Sequence, residues 1–214
     1  MQFGVFDHMD RGEQEIGQQY RDRLQLIAAY EGAGFHAYHR AEHHGTPLSV
    51  ARPETTQWAA SQRMNIVTNG PAHAVRAITD QYRLEWVNTA HGHTPLPLMG
   101  MSRHVVIANT DAAAIAIAEP AYQRWFSSLL YLWRLNNLQI PLNFPEDFRE
   151  ARALGLCLVG SVATVRKTMA REIAESGVNY LLCRIAFGTL PLAQSLQTVA
   201  YLRDEILPAW AEVT

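Results

Sequence analysis

The sequence predicts an α/β domain, with a parallel sheet of about five strands flanked by helices and joined by right-handed crossovers. Three observations predict it. Short apolar runs alternate with longer segments of helical period along all 214 residues. Hydrophobic residues make up 48% of the chain, enough for one packed core. The stretch from Gly34 to Pro47 reads as a short strand that delivers Glu42, His43 and His44 to a Gly/Thr/Pro loop. Such strand ends, with titratable groups that resist burial without partners, are where parallel α/β proteins place their sites.

The elements follow in order. Gln2 to Phe6 is the first strand. Tyr20, Leu24, Ile27 and Ala28 recur at helical spacing and are expected to face the core, with Gly32 and Gly34 closing the helix. The second strand runs through Tyr38. Pro53 suits the first turn of a helix carrying Trp58 and Ala59. Asn65 to Thr68 is the third strand, and Asn69-Gly70-Pro71 turns into a helix with Val75, Ile78, Tyr82 and Trp86. A loop with His91, His93, Pro95 and Pro97 leads to the fourth strand, His104 to Ala108. Thr110 and Asp111 cap a long helix, which Pro120 is expected to kink or divide because proline removes a backbone donor. That helix is rich in aromatics (Tyr122, Trp125, Phe126, Tyr131, Trp133), which read as core or subunit interface. Gly160-Ser161 opens a helix with Val165, Met169 and Ile173 on one face. Val178 to Arg184 is the last strand, and Leu192, Leu196, Val199, Leu202 and Ile206 stripe the closing helix. There is no internal repeat and no low-complexity linker.

Composition narrows the function. Charged residues are 18% of the chain, the net charge is −2 and the pI is near 6.5, so a phosphate backbone is not the expected partner. No apolar run reaches the roughly 18 residues of a membrane span, and Met1 to Asp7 lacks the layout of a signal peptide. Two cysteines, Cys157 and Cys183, sit in apolar runs. They read as reduced core thiols, which suits a cytoplasmic location.

Several separate stretches resemble the bacterial luciferase-like, flavin-dependent monooxygenases. Phe3-Gly4-Val5-Phe6-Asp7-His8 is similar to the family's first strand, and Ala33-Gly34-Phe35 through Glu42-His43-His44 to its second strand and catalytic loop. Asn65 to Pro71, Ser102 to Ala108 and Asn179 to Gly188 resemble strands of its second half. Gly160-Ser161-Val162-Ala163-Thr164-Val165 resembles a helix start in which Val162 replaces a proline. Luciferase-like enzymes are eight-stranded (β/α) barrels of about 250 residues or more. Here the pattern passes near residues 49–53 from the second unit to the sixth. The resemblance therefore implies one domain over 1–214, an incomplete barrel with an internal deletion. The missing units carry much of the family's grip on the flavin phosphate.

The resemblance implies site residues. His43 aligns with the family's catalytic histidine, and an imidazole titrating near neutrality can exchange a proton as oxygen reacts with reduced flavin. The bland alternative is a polar loop histidine without a chemical role. Glu42 would orient a neighbouring imidazole, and His44 would line the pocket. Arg184, Phe187 and Gly188 end the last strand, where barrel sites form. Arg184 could meet a flavin oxygen or phosphate, or a carboxylate. Phe6 and Asp7 could line the flavin ring or cap the core. A metal site built from His36, His39, Glu42, His43 and His44 is disfavoured, because no His-Glu-x-x-His or cysteine pattern supports it and successive strand residues face opposite ways. Gly32-Ala33-Gly34-Phe35-His36-Ala37 matches a dinucleotide-binding string, but it follows a helix and opens a strand, which is the wrong context. Asn69-Gly70-Pro71 and Gly160-Ser161 are the better anion sites, each at a helix N-terminus.

The expectation is a shortened luciferase-like monooxygenase that uses reduced FMN from a separate reductase, with O2 and a small organic substrate. The alternative is a flavin-binding protein without turnover. Five strands leave open edges and uncovered apolar helix faces, so a two-fold homodimer is expected.

Overall fold

A computed structural model describes residues 1–10, 14–40, 53–89, 94–138 and 144–211. Its strands are β1 (Gln2–Asp7), β2 (Tyr38–Arg40), β3 (Ile66–Thr68), β4 (Met99–Ile107), β5 (Cys157–Gly160) and β6 (Tyr180–Arg184). The helices are α1 (Ile16–Gly32), α2 (Pro53–Ser61), α3 (Ala72–Asn88), α4 (Asp111–Leu135), α5 (Phe148–Ala153), α6 (Val162–Ser176) and α7 (Leu192–Tyr201). A π-helical turn (Leu202–Ile206) and the short α8 (Pro208–Ala211) continue α7.

All pairings are parallel, and the sheet runs β2-β1-β6-β4-β3 without closing on itself. β4 is the organising strand. Residues 100–104 pair with β6, 99–101 with β3, and 104–107 with β5. Two strand readings change here. The fourth strand begins at Met99 rather than His104, because pairing on both sides extends it through a segment lacking β-branched residues. Cys157–Gly160 is a sixth strand, too short to stand out by periodicity.

Alternation along the strands divides the side chains between two faces. On the first, Phe3, Val5, Met101, Val105, Leu181 and Cys183 pack against α1, α6 and α7 through Leu26, Met169 and Val199. On the second, Val106, Cys157 and Val159 meet Ala118, Tyr122 and Trp125 of α4.

Two helices differ from expectation. α4 runs through Pro120 undivided. Pro120 and Ala116, whose carbonyl it leaves without an amide partner, are both exposed, so water is available to that carbonyl. In α1, Tyr20 and Leu24 are 53% and 66% exposed, while Gln19, Asp22, Leu26 and Tyr30 are buried. Polar anchors set this rotation: Gln19 Nε2 donates to the Asp10 carbonyl (2.7 Å), and Arg23 Nε meets Asp7 Oδ2 (2.7 Å).

Candidate functional site

The register lines up four side chains across four strands. His39 on β2 pairs with Phe6 on β1, Val5 pairs with Cys183 so that Phe6 and Arg184 are level, and Arg184 on β6 pairs with His104 on β4. All four lie on the second face, at the carboxyl end of the sheet.

Arg184 is the centre of this row. It is 5% exposed, with its guanidinium carbon 5.5 Å from the centroid of the Phe6 ring and 5.4 Å from that of Trp125. Nη2 donates to Asn69 Oδ1 (3.1 Å), which also accepts from Ser102 Oγ. Nε is buried without an acceptor. Burial pushes the guanidinium down to about 10, and among the described residues no carboxylate pairs with it. A buried charge is normally paired. Among the described residues, Arg184 presents a cation that lacks its anion.

His104 is walled in by Trp125, Phe187 and Tyr122, with ring centroids at 4.2, 4.5 and 5.4 Å. Its burial, then the charges of Arg184 and His8, hold it well below the ordinary imidazole range, so it is neutral at pH 7. Its Nε2 is buried without a partner. Trp125 Nε1 donates to His8 Nδ1 (3.2 Å), tying α4 to the loop after β1.

The residues singled out by sequence are placed as follows. Phe6 lies against Arg184, which pairs in register with His104, and the Phe187 ring stands against His104. Asp7 points to the first face, where its carboxylate accepts from Tyr38 Oη (2.9 Å) and Met9 N (2.7 Å) and meets Arg23. Gly188 donates its amide to Asp10 Oδ2 (3.0 Å), and a Cβ there would overlap the Ala121 carbonyl of α4. It secures the Phe187 turn from behind. A cavity of about 260 Å³ adjoins that turn, lined by Asp10, Gln19, Asp22, Arg23 and Leu190. Desolvation raises the Asp10 carboxyl within it. Glu42, His43 and His44 lie outside the described residues. Sequence reasoning missed His104 and Ser102 as site residues. Their one signal is the spacing His104, Val106, Ala108, which puts an imidazole on the face that α4 covers.

No family model matches the sequence. An uncharacterized protein of Sinorhizobium fredii, y4wF, is 37% identical over 169 residues, covering 79% of this chain and 49% of that protein. The chain thus spans about half the length of this relative. Among solved structures, the monooxygenase RslO1 from Streptomyces bottropensis superposes with a TM-score of 0.62 at 20% identity, over 74% of this chain and 45% of that one. The oxygenating constituent of 3,6-diketocamphane monooxygenase from the CAM plasmid of Pseudomonas putida, a type II Baeyer-Villiger monooxygenase in complex with FMN, gives 0.55 at 19% identity, over 72% and 45%. A protein described as flavoprotein 390 gives 0.67 at 13% identity, over 100% and 97%. The chain has the luciferase-like fold in a shortened form.

Within that fold the row occupies the inner, strand-end side of a sheet left open. Its α4 aromatics cover one end of the row at His104, while His39 at the other end is exposed. Among the described residues, no helix is long and apolar enough to cross a membrane, and no three metal-ligating side chains come together.

Proposed function

We propose that this chain is a flavin-dependent monooxygenase that acts with reduced FMN and O2 on a small organic substrate. The observation that carries the reading is Arg184, a buried guanidinium against two aromatic rings with no carboxylate partner among the described residues. The residues fit FMN: its phosphate supplies the missing anion, and its planar ring suits the Phe6 and Trp125 walls. Bound reduced flavin supplies the two electrons that activate oxygen. Arg184 and Asn69 bind and orient, Phe6, Trp125 and Phe187 exclude water, and Asp7 and Gly188 brace the strand ends. His43 handles the proton, Glu42 orients it and His44 lines the pocket. A separate reductase delivers reduced FMN.

The reading extends to assembly and location. A single domain over 1–214 has lost its middle units near 49–53. Buried Cys157 and Cys183, whose thiols desolvation pushes up to about 12, suit a reducing cytoplasm. The exposed α1 stripe of Ile16, Tyr20 and Leu24 supports a homodimer.

A second reading is flavin binding without turnover; the near-complete mutual coverage with flavoprotein 390 supports the flavin binding that both readings share. Fluorescence titration with FMN and riboflavin tests the first reading. Arg184→Met should weaken FMN about tenfold or more, as loss of a charge-assisted contact does, and leave riboflavin little changed. If neither FMN nor reduced FMN binds, the flavin reading falls. Binding with reduced FMN reoxidised no faster than in buffer selects the second reading.

A further inference from the structure

His39 stands at the open end of the row, and its ring is held from below by a side chain the site does not otherwise use. Tyr180 begins β6 on the second face, and its phenol reaches across β1 towards β2. Both strands beside β6 carry glycine where that ring passes. A Cβ at Gly4 would overlap Tyr180 Oη, and one at Gly100 would press on the ring at 3.2 Å. The phenol ends 2.8 Å from His39 Nε2, and the His36 ring stands edge-on to it at 5.9 Å. Tyr180 is 2% exposed and His39 is exposed, so the anchor is buried while the imidazole is open. His39 makes no other hydrogen bond to the described residues, so among them Nδ1 has no partner. At about 4.8 Å per strand, the imidazole column lies about 10 Å from that of Arg184 across Phe6, the span of a small ligand or a flavin ring.

We propose that His39 is an acid–base catalytic residue of this site and Tyr180 its positioning residue. The inference rests on the flavin reading. Nδ1 takes a proton from the bound ligand: the ligand's bond to hydrogen breaks, its electron pair stays on the ligand, and an N–H bond forms. The exposed imidazolium then releases that proton to solvent, while the proton on reduced oxygen is left to His43. Tyr180 Oη accepts from Nε2–H or donates to Nε2, so one bond serves both protonation states and fixes the ring. The groups facing His39 suit this role. Burial and then the charge of His36 lower its pKa from 6.5, while desolvation and then Cys183 raise the phenol to about 12, so near neutrality a neutral imidazole meets a protonated phenol.

Two measurements on the full chain test it. In an NMR titration the His39 ring should have its midpoint below about 6.5 and should shift in Tyr180→Phe. An unmoved midpoint in Tyr180→Phe overturns the positioning role, whether or not flavin binds. In reoxidation of reduced FMN by O2, His39→Gln should lower the rate about 10²–10⁴-fold and remove the acid limb of the pH profile. Its affinity for FMN should stay within about threefold of wild type. Tyr180→Phe should keep the limb but move it, with a smaller loss of rate. FMN binding with an unchanged His39→Gln rate and limb overturns the role of His39 alone. FMN binding by the wild-type chain without turnover overturns the acid–base role and leaves a flavin-binding protein. No FMN binding overturns both the flavin reading and this role.

Discussion

Arg103 and Arg184 stand on neighbouring strands, one register step apart and on opposite faces of the sheet. Both are buried, and burial lowers both guanidinium pKa values. On the first face, Arg103 Nη2 meets Glu172 Oε2 of α6 at 3.1 Å, and both side chains are enclosed. On the second face, Arg184 has rings and an amide oxygen but, among the described residues, no carboxylate. The first is a finished ion pair that locks α6 to the sheet. The second is half of one, which is what a site awaiting an anionic ligand looks like.

Breaking the finished pair should cost most. Glu172→Gln leaves Arg103 buried without its counter-charge, and urea unfolding should show a loss of about 3–5 kcal/mol. Arg184→Met should change stability by less than about 1 kcal/mol in either direction, because no pair is broken. Equal losses from the two variants would end the distinction between the faces.

Gly4→Ala sharpens the comparison on the second face. Its Cβ overlaps the Tyr180 phenol, so the expected cost is about 1–3 kcal/mol together with a displaced His39 resonance. A variant with wild-type stability and an unmoved His39 would mean that the phenol is not fixed there.

Acid should act through the second face. His104 has its folded-state pKa depressed well below 6.5, so the unfolded chain binds a proton that the folded chain refuses. Its contribution is therefore present above pH 6.5 and lost as pH falls below it, at up to about 1.4 kcal/mol per pH unit. Urea midpoints measured between pH 7.5 and 5.5 should show this slope, and His104→Leu should flatten it.

The smallest effect on folding should come from the surface. Leu24→Ser on α1 should shift stability by no more than about 0.5 kcal/mol. Light scattering should nevertheless move from about twice the 24.0 kDa chain mass towards a single chain. A wild-type protein that is already monomeric at micromolar concentration would remove the dimer.

The sequence by itself determined the strand–helix alternation and the buried faces of α3, α6 and α7. Val75, Tyr82 and Trp86, then Val165, Met169 and Ile173, are enclosed as their 3.6-residue spacing requires. It also marked Phe6, Arg184 and Phe187, which the fold places along one face, Phe6 against Arg184 and Phe187 against His104. The Glu42-His43-His44 loop, the strongest motif in the chain, falls outside the described residues. Only the tertiary structure decided the rest. Period tells which side chains share a face of one element and nothing about what lies opposite. β5 exists because four residues find β4, and α1 turns Tyr20 and Leu24 outward because Gln19 and Arg23 find partners on and just after β1. His39, Phe6, Arg184 and His104 form a row only because segments up to about 180 residues apart pair in one register. Whether a buried arginine has a carboxylate within reach is likewise a property of the neighbour that packs on it, and local spacing carries no record of that neighbour.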